Sequence, residues 1–339
     1  MKTIRMGANI ATNRSSGGYL CLWTKQSDRM FELNTTPFGR FRRYDFSFSA
    51  LGLGFSVVPG SGATVLSLLY QGEEVLDGHT TPDELEAGEW AKSALLFPFP
   101  NRLRNGRYRW LGEEYAFPIN ELQTNTAIHG FVHREAFEPV RIELTDEHAE
   151  IACRLQYDGH FAGYPFPLTM EVAYSMTYRG LFGVSAWIKN RHSAAIPVGF
   201  GWHPYFKLSK RIDDCALKLP ACSRERLDAC RLPVLQQEPY DAFEQLTPIG
   251  QTTLDDCFRA AERLTLYDIR LKGERHAVTL SLSRTLFPFF QIFTPPHRKS
   301  IALEPMTCLP NAFENGEGLV SIPPEGIWSA AFVLHCEHT

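Results

Sequence analysis

The chain has 339 residues, 44% of them hydrophobic and 21% charged, which is enough apolar material for one large domain or two average ones. Its formal net charge of -4 gives no overall attraction to nucleic acid or to an anionic membrane surface, so a neutral partner fits better. No run of ~18 apolar residues is present to span a bilayer, no apolar leader follows Met1 to Gly7, and the eight cysteines form neither a CxxC pair nor a regular framework. The reading is a cytoplasmic protein with free thiols.

Taken in chain order, the first landmark is Phe38-Gly39-Arg40-Phe41-Arg42-Arg43-Tyr44, a basic-aromatic cluster best read as a solvated edge strand. The acidic stretch Pro82 to Gly88 predicts one helical turn, and Asp255 to Glu262 predicts another. Elsewhere apolar residues recur at period two in short runs, as in Ala149 to Leu155, Leu168 to Tyr174, His276 to Leu282 and Trp328 to Leu334. Alternation of this kind marks half-buried strands. With 25 Gly and 22 Pro as punctuation and no βαβ rhythm, the fold class is all-β, a large antiparallel β-sandwich.

Several short runs carry residues suited to chemistry. Phe97 to Tyr108 combines stiff Pro-aromatic backbone with Asn101 and Arg102, whose amide and guanidinium donors suit a ligand with many hydroxyls. His129 and His133 are four apart and share a face on either a helix or a strand. No HExxH motif, Cys/His quartet or nearby carboxylate completes a metal ligand set, so no metal is assigned and His129 reads as a hydrogen-bonding residue in a cleft. His203, in Gly201-Trp202-His203-Pro204-Tyr205-Phe206, and Glu304, in Ile301 to Met306, each lie in an apolar, aromatic setting of the kind that tunes a proton donor or acceptor.

Read together and in order, these runs resemble the aldose 1-epimerase (galactose mutarotase) family. Asn101-Arg102-Leu103-x-x-Gly106-x-Tyr108 resembles its NRI-x-x-G-x-F/Y segment, Ile128-His129-Gly130 its LHG segment, and His203-Pro204-Tyr205-Phe206 its HPYF segment. Asp255-Asp256-Cys257-Phe258 resembles D-H-x-F, Gln291-Ile292-Phe293-Thr294 resembles Q-F-Y-T, and Leu303-Glu304 matches a late L-E. The chain departs from the pattern where Phe131 follows Ile128-His129-Gly130, where Asp256 replaces His, and where Pro305-Met306 follows Glu304. The resemblance covers about residues 52 to 337, so residues 1–51 read as an N-terminal extension of edge strands packed on a main domain of residues 52–339.

The resemblance implies a galactose mutarotase-like supersandwich and a cofactor-independent isomerase that interconverts the α and β anomers of an aldohexose. Glu304 would take the proton from the anomeric hydroxyl and His203 would protonate the ring oxygen. Asn101, Arg102, His129, Asp255 and Gln291 would bind sugar hydroxyls, and Trp202 or Phe131 would stack on the pyranose. Glu304 would start ionised and His203 protonated, giving a bell-shaped pH profile. The expected partner is a small-molecule sugar, with neither nucleic acid nor membrane involved, and the protein is a monomer or homodimer. Two alternatives stand beside this: a non-catalytic sugar sensor on the same fold, and a mutarotase for phosphorylated hexoses with Arg104 and Arg107 as the cationic cluster.

Overall fold

The computed structural model describes residues 30–339, so Cys21 and the expectations for residues 1–29 lie outside the described residues. Three large antiparallel sheets dominate, of nine, eight and five strands. The alternating segments found in the sequence lie within the strands His148–Tyr157, Leu168–Thr177, His276–Ser283 and Ile327–His338, all in the nine-stranded sheet. Leu168–Thr177 is buried at every second position along most of its length, as expected for a strand with one face on a core.

The eight-stranded sheet bears the candidate residues Asp255, Gln291 and Glu304. Its order runs Pro233–Tyr240, Cys222–Leu227, Asp255–Ala260, Phe289–Phe293, Ile301–Met306, Gly201–Trp202 and Leu95–Leu96, with Tyr205–Phe206 also pairing to Ile301–Met306. Its inner face packs on the nine-stranded sheet through large aromatic residues. Trp202 lies 5.8 Å from Phe332 and 6.4 Å from Phe182, and Phe287 meets Phe332 edge-on at 5.4 Å. Fully burying one such side chain contributes about 1.5–3 kcal/mol, and this layer of aromatic rings fixes how the two sheets meet.

The Glu32–Phe38 and Phe41–Phe48 hairpin continues the five-stranded sheet through Leu53–Val58, and Phe31, Phe46 and Phe48 join the main core cluster. Within the basic-aromatic run, Arg40 lies over the ring of Phe41, and Arg43 pairs with Asp45 at 2.5 Å.

Helix forms at Pro82–Ala87, as the sequence indicates. The Thr81 side chain accepts from the Glu84 N–H at the N-terminus, and Gly88, at φ 64°, ends the helix. The second expected helical turn is overturned: Asp255–Ala260 is a strand hydrogen-bonded between Cys222–Leu227 and Phe289–Phe293. An interior sheet position, with Cys257, Phe258 and Ala260 buried, outweighs the weak helical tendency of so short a run. The seven cysteines among the described residues are free thiols.

Candidate active site

Strand register brings the carboxylates and amide together. Gln291 pairs directly with Glu304, so both side chains leave the sheet on the same face. Cys257 pairs with Gln291, and Asp255, two residues earlier on the same strand, shares that face. On the other flank Gly201 pairs with Met306 and Tyr205 with Ala302, which places Tyr205 and His203 on the Glu304 side as well.

The same alternation sends Trp202 to the opposite face. It is fully buried between the sheets, and its Nε1 donates to the carbonyl of Ser93 at 3.1 Å. Stacking of Trp202 on a ligand is therefore ruled out. Phe131 is likewise packed among Tyr157, Phe161 and Tyr164 and does not line the cleft.

The remaining candidates arrive beside the sheet, Arg102 at the start of the short strand Arg102–Arg104, which pairs with Thr126–Ile128, and Asn101 and His129 next to that pair. Asn101 and His129 both adopt left-handed backbone, with φ of 58° and 67°, and they hold each other. The His129 N–H donates to the Asn101 carbonyl at 2.9 Å, while the Asn101 N–H donates to His129 Nδ1 at 3.3 Å. Because Nδ1 accepts, the network assigns the ring proton of neutral His129 to Nε2, leaving that nitrogen as a donor. Gly130 follows at φ 64°, where an added Cβ would lie 2.1 Å from the Phe97 carbonyl oxygen. Only glycine fits this close approach.

All seven candidate residues, Asn101, Arg102, His129, His203, Asp255, Gln291 and Glu304, line one cleft of about 330 Å³. Its volume is near the lower end for small-molecule sites, about 300 Å³. Arg102 enters it already engaged: Nε and Nη2 fork onto Glu121 at 2.6 and 2.7 Å. Burial alone would raise the Glu121 carboxyl, but hydrogen bonds from Arg102, Thr124 and Thr126 outweigh it and hold the group at about 2. Asp255 is also held on both oxygens, by Gln291 Nε2 at 2.8 Å and by Arg231 Nη2 at 2.7 Å.

Glu304 and His203 stand apart from these satisfied groups. Glu304 is 2% exposed and His203 is 5% exposed, with Oε1 and Nε2 3.4 Å apart. Glu304 Oε2 and His203 Nδ1 have no hydrogen-bond partner. His203 stacks on Tyr205 at 4.9 Å, with 18° between the planes, which fixes the plane of the imidazole.

Burial pushes the Glu304 carboxyl well above the usual range. The charge of Asp255 adds to the rise and Arg102 opposes it. Burial also pulls His203 down to about 3. These directions reverse the sequence expectation of an ionised Glu304 and a protonated His203, because each group resists charging in a site removed from water. A neutral carboxylic acid beside a neutral imidazole nevertheless holds the same number of protons as carboxylate beside imidazolium. The pair carries one transferable proton and can take one while giving another.

Some cleft residues were not foreseen. Tyr205 was detectable as the second residue after His203 in an alternating run, and Phe293 as the second after Gln291. Glu121 and Trp90 lie in loops with no periodic signal. Arg104 and Arg107, expected as a phosphate-binding cluster, do not line the cleft. Arg104 pairs with Asp228 and Arg107 with Glu114, each at 2.6 Å, away from the cleft lining. No cluster of three or more potential metal ligands occurs among the described residues.

Comparison with known proteins fits this geometry. The family model for aldose 1-epimerase matches residues 54–335. YihR, an uncharacterized protein of Escherichia coli (strain K12), is 29% identical over 265 residues, covering 76% of this chain and 82% of YihR. The crystal structure of a galactose mutarotase-like protein from Clostridium acetobutylicum superposes with a TM-score of 0.81 at 17% identity, covering 93% of this chain and 100% of that one. A galactose 1-epimerase from Lactobacillus acidophilus NCFM gives a TM-score of 0.75 at 16% identity, with 91% and 98% covered. At such identities the structural likenesses establish the fold, which is galactose mutarotase-like.

Proposed function

Since the chain belongs to the aldose 1-epimerase family, we propose that its cleft interconverts the α and β anomers of an aldohexose, with Glu304 and His203 as the catalytic pair. The observation that carries this reading is the pair itself. A buried carboxyl and a buried imidazole face each other at 3.4 Å, each with an unpartnered polar atom, beside Arg102 and Asp255, which are engaged by Glu121 and Gln291. A site built for binding alone has no use for a matched acid and base.

In the proposed reaction Glu304, as carboxylate, takes the proton from the anomeric hydroxyl. The O1 electron pair forms the carbonyl, the bond from C1 to the ring oxygen breaks, and the ring oxygen takes the proton of the His203 imidazolium. Rotation about C1–C2 presents the other carbonyl face, and the reverse transfers close the ring as the opposite anomer. No electrons or protons are gained or lost overall, and each transfer contributes typically about 10²–10⁴-fold.

The direction of the pKa shifts supports these roles. Raising Glu304 makes it a stronger base, and lowering His203 makes its protonated form a stronger acid. After ring opening the pair is a neutral acid and a neutral imidazole, the form that burial favours. The starting charged form is reached by moving the shared proton between Oε1 and Nε2, with no exchange with solvent.

Around the pair, Asn101, Arg102, His129, Asp255 and Gln291 supply donors and acceptors for sugar hydroxyls, and leaving one such group unpaired in the cleft costs about 1–3 kcal/mol. Because these residues are fixed by one another and by Glu121 and Arg231, they form a pre-set polar frame.

The test is polarimetry or proton NMR of freshly dissolved α-D-glucose and α-D-galactose with wild type, Glu304→Gln and His203→Asn. Faster anomer exchange with wild type, lost in both folded variants, is the expected result. Binding of a sugar by wild type without faster exchange would overturn the catalytic reading in favour of a sensor.

A further inference from the structure

Trp90 forms part of the cleft wall and is unusual in its backbone and in its exposure. It lies just after the helix Pro82–Ala87, in a segment where Gly88, Trp90, Ala91 and Ser93 take φ of 64°, 60°, 50° and 56°. Three non-glycine residues in the left-handed region within four positions is a costly arrangement that persists only when its surroundings impose it. Those surroundings are the segment of residues 202–203, which continues from the short strand Gly201–Trp202. The Ser93 N–H donates to the His203 carbonyl at 2.8 Å, the His203 N–H donates to the Ala94 carbonyl at 3.0 Å, and Trp202 Nε1 holds the Ser93 carbonyl.

Ser93 and Ala94 at the end of this segment are buried, whereas Trp90 remains 44% exposed. The indole lies 6.1 Å from the ring of Phe293 at an interplanar angle of 27°, and 5.7 Å from His297 at 85°. Phe293 is two residues beyond Gln291 on one strand and faces the same side, so the two rings form an aromatic surface next to Gln291, Asp255 and Glu304. Behind it, Trp90 also lines a second cavity of about 480 Å³ bordered by His79, Lys92 and Lys207. Trp90 thus borders both cavities, with Phe293 and His297 against its ring.

Within the reading of this cleft as a sugar site, we infer that Trp90, backed by Phe293, is the platform on which the C–H face of a pyranose rests. A pyranose is polar at its rim and apolar across part of its face, and a flat aromatic pair beside a polar frame complements both. Trp90 is thus a positioning residue, setting affinity for the ring while the C1–C2 bond rotates beyond its edge. It takes the role that Trp202, buried between the sheets, does not have.

The inference is tested with wild type, Trp90→Ala and Trp90→Phe, using D-glucose and D-galactose. Anomer exchange is followed by NMR, and affinity is measured separately by ligand-observed NMR titration. Trp90→Ala is expected to raise both Kd and KM about tenfold while kcat stays within about twofold, the pattern of lost uniform binding by a stacking surface. Trp90→Phe, which keeps an aromatic face, is expected within about threefold of wild type. Unchanged Kd in Trp90→Ala would overturn this inference alone, as would equal losses in both variants, since a merely structural role gives no rescue by Phe. Binding without exchange in wild type would overturn the catalytic reading alone, leaving the affinity ratios to decide Trp90. Failure of wild type to bind either sugar would overturn both.

Discussion

Replacing Glu304 with Gln should abolish anomer exchange and, in a pH-dependent way, stabilise the fold. The side chain is 2% exposed, and Oε2 lacks a hydrogen bond, so Gln fills the same space while removing the ionisable group. Loss of the base should slow exchange by about 10²–10⁴-fold. The stability effect follows from linkage. Glu304 has a folded-state pKa raised above its unfolded value, so its contribution is fully present below the ordinary carboxylate pKa and is lost as pH rises through the folded value.

Above the ordinary carboxylate pKa the unfolded chain has released a proton that the folded chain still holds, so wild-type stability declines by about 1 kcal/mol per pH unit from this group. His203 has the opposite sign. Its folded pKa is depressed to about 3, so its contribution is present above the usual histidine value and is lost as pH falls towards about 3. Comparing the two proteins at each pH isolates the Glu304 contribution together with the change that its loss makes at His203, 3.4 Å away. The stability advantage of Glu304→Gln should therefore be near zero at about pH 4.5 and should widen by about 1 kcal/mol per pH unit until the folded Glu304 ionises. Urea denaturation of both proteins between about pH 5 and 8, with NMR exchange rates on the same samples, measures both effects. A stability difference that does not change with pH, or a variant retaining more than about a tenth of wild-type activity, would refute the reasoning.

The rate profile of the wild type should be nearly flat between about pH 5 and 7, since the pair keeps one proton throughout; an acid limb centred near the ordinary histidine pKa, seen in initial rates, would contradict the shared-proton account. Glu121→Ala leaves the buried Arg102 without its forked partner and should cost about 3 kcal/mol in urea denaturation, with a raised KM; an unchanged midpoint would mean that solvent reaches Arg102 freely. Gly130→Ala drives a Cβ towards the Phe97 carbonyl at a left-handed position and should cost about 2–4 kcal/mol and displace His129, measurable as a lowered melting temperature together with lost activity.

Much of the site was legible because it lies on strands. Period two predicts that Glu304 and Gln291 project together once their register is known, and that His203 and Tyr205 face away from Trp202. What the sequence lacks is the register itself and the sign of each face, which depend on pairings between distant segments. Hence Trp202, adjacent to His203, looked like a ligand contact although its face belongs to the sheet interface, while Trp90, more than a hundred residues away, lines the cleft. The Asp255 segment was misread for a related reason: six residues with adjacent acids have little intrinsic preference, and two flanking strands decided their conformation. Arg102 was foreseen as a donor, but its fork is largely occupied by Glu121, a partner 19 residues on in a loop without periodicity.

The pair also illustrates why this cleft is costly to the fold. Two ionisable side chains with unpartnered atoms are held out of water, each shifted against its charged form, and hydrophobic or amide replacements would satisfy the core better. The loop bearing Trp90 and the turns at Asn101 and His129 add left-handed backbone at non-glycine residues around the same cleft. Such backbone also occurs at residues that do not line the cleft, as at Leu111 and Leu235, so the buried, unpartnered pair is what marks this site. If the cleft were a passive cavity, Glu304→Gln would be stabilising with no loss of any sugar-dependent property. The combination proposed here, stability gained above about pH 5 and exchange lost at every pH, is the signature of a site in which buried ionisable groups are retained for proton transfer.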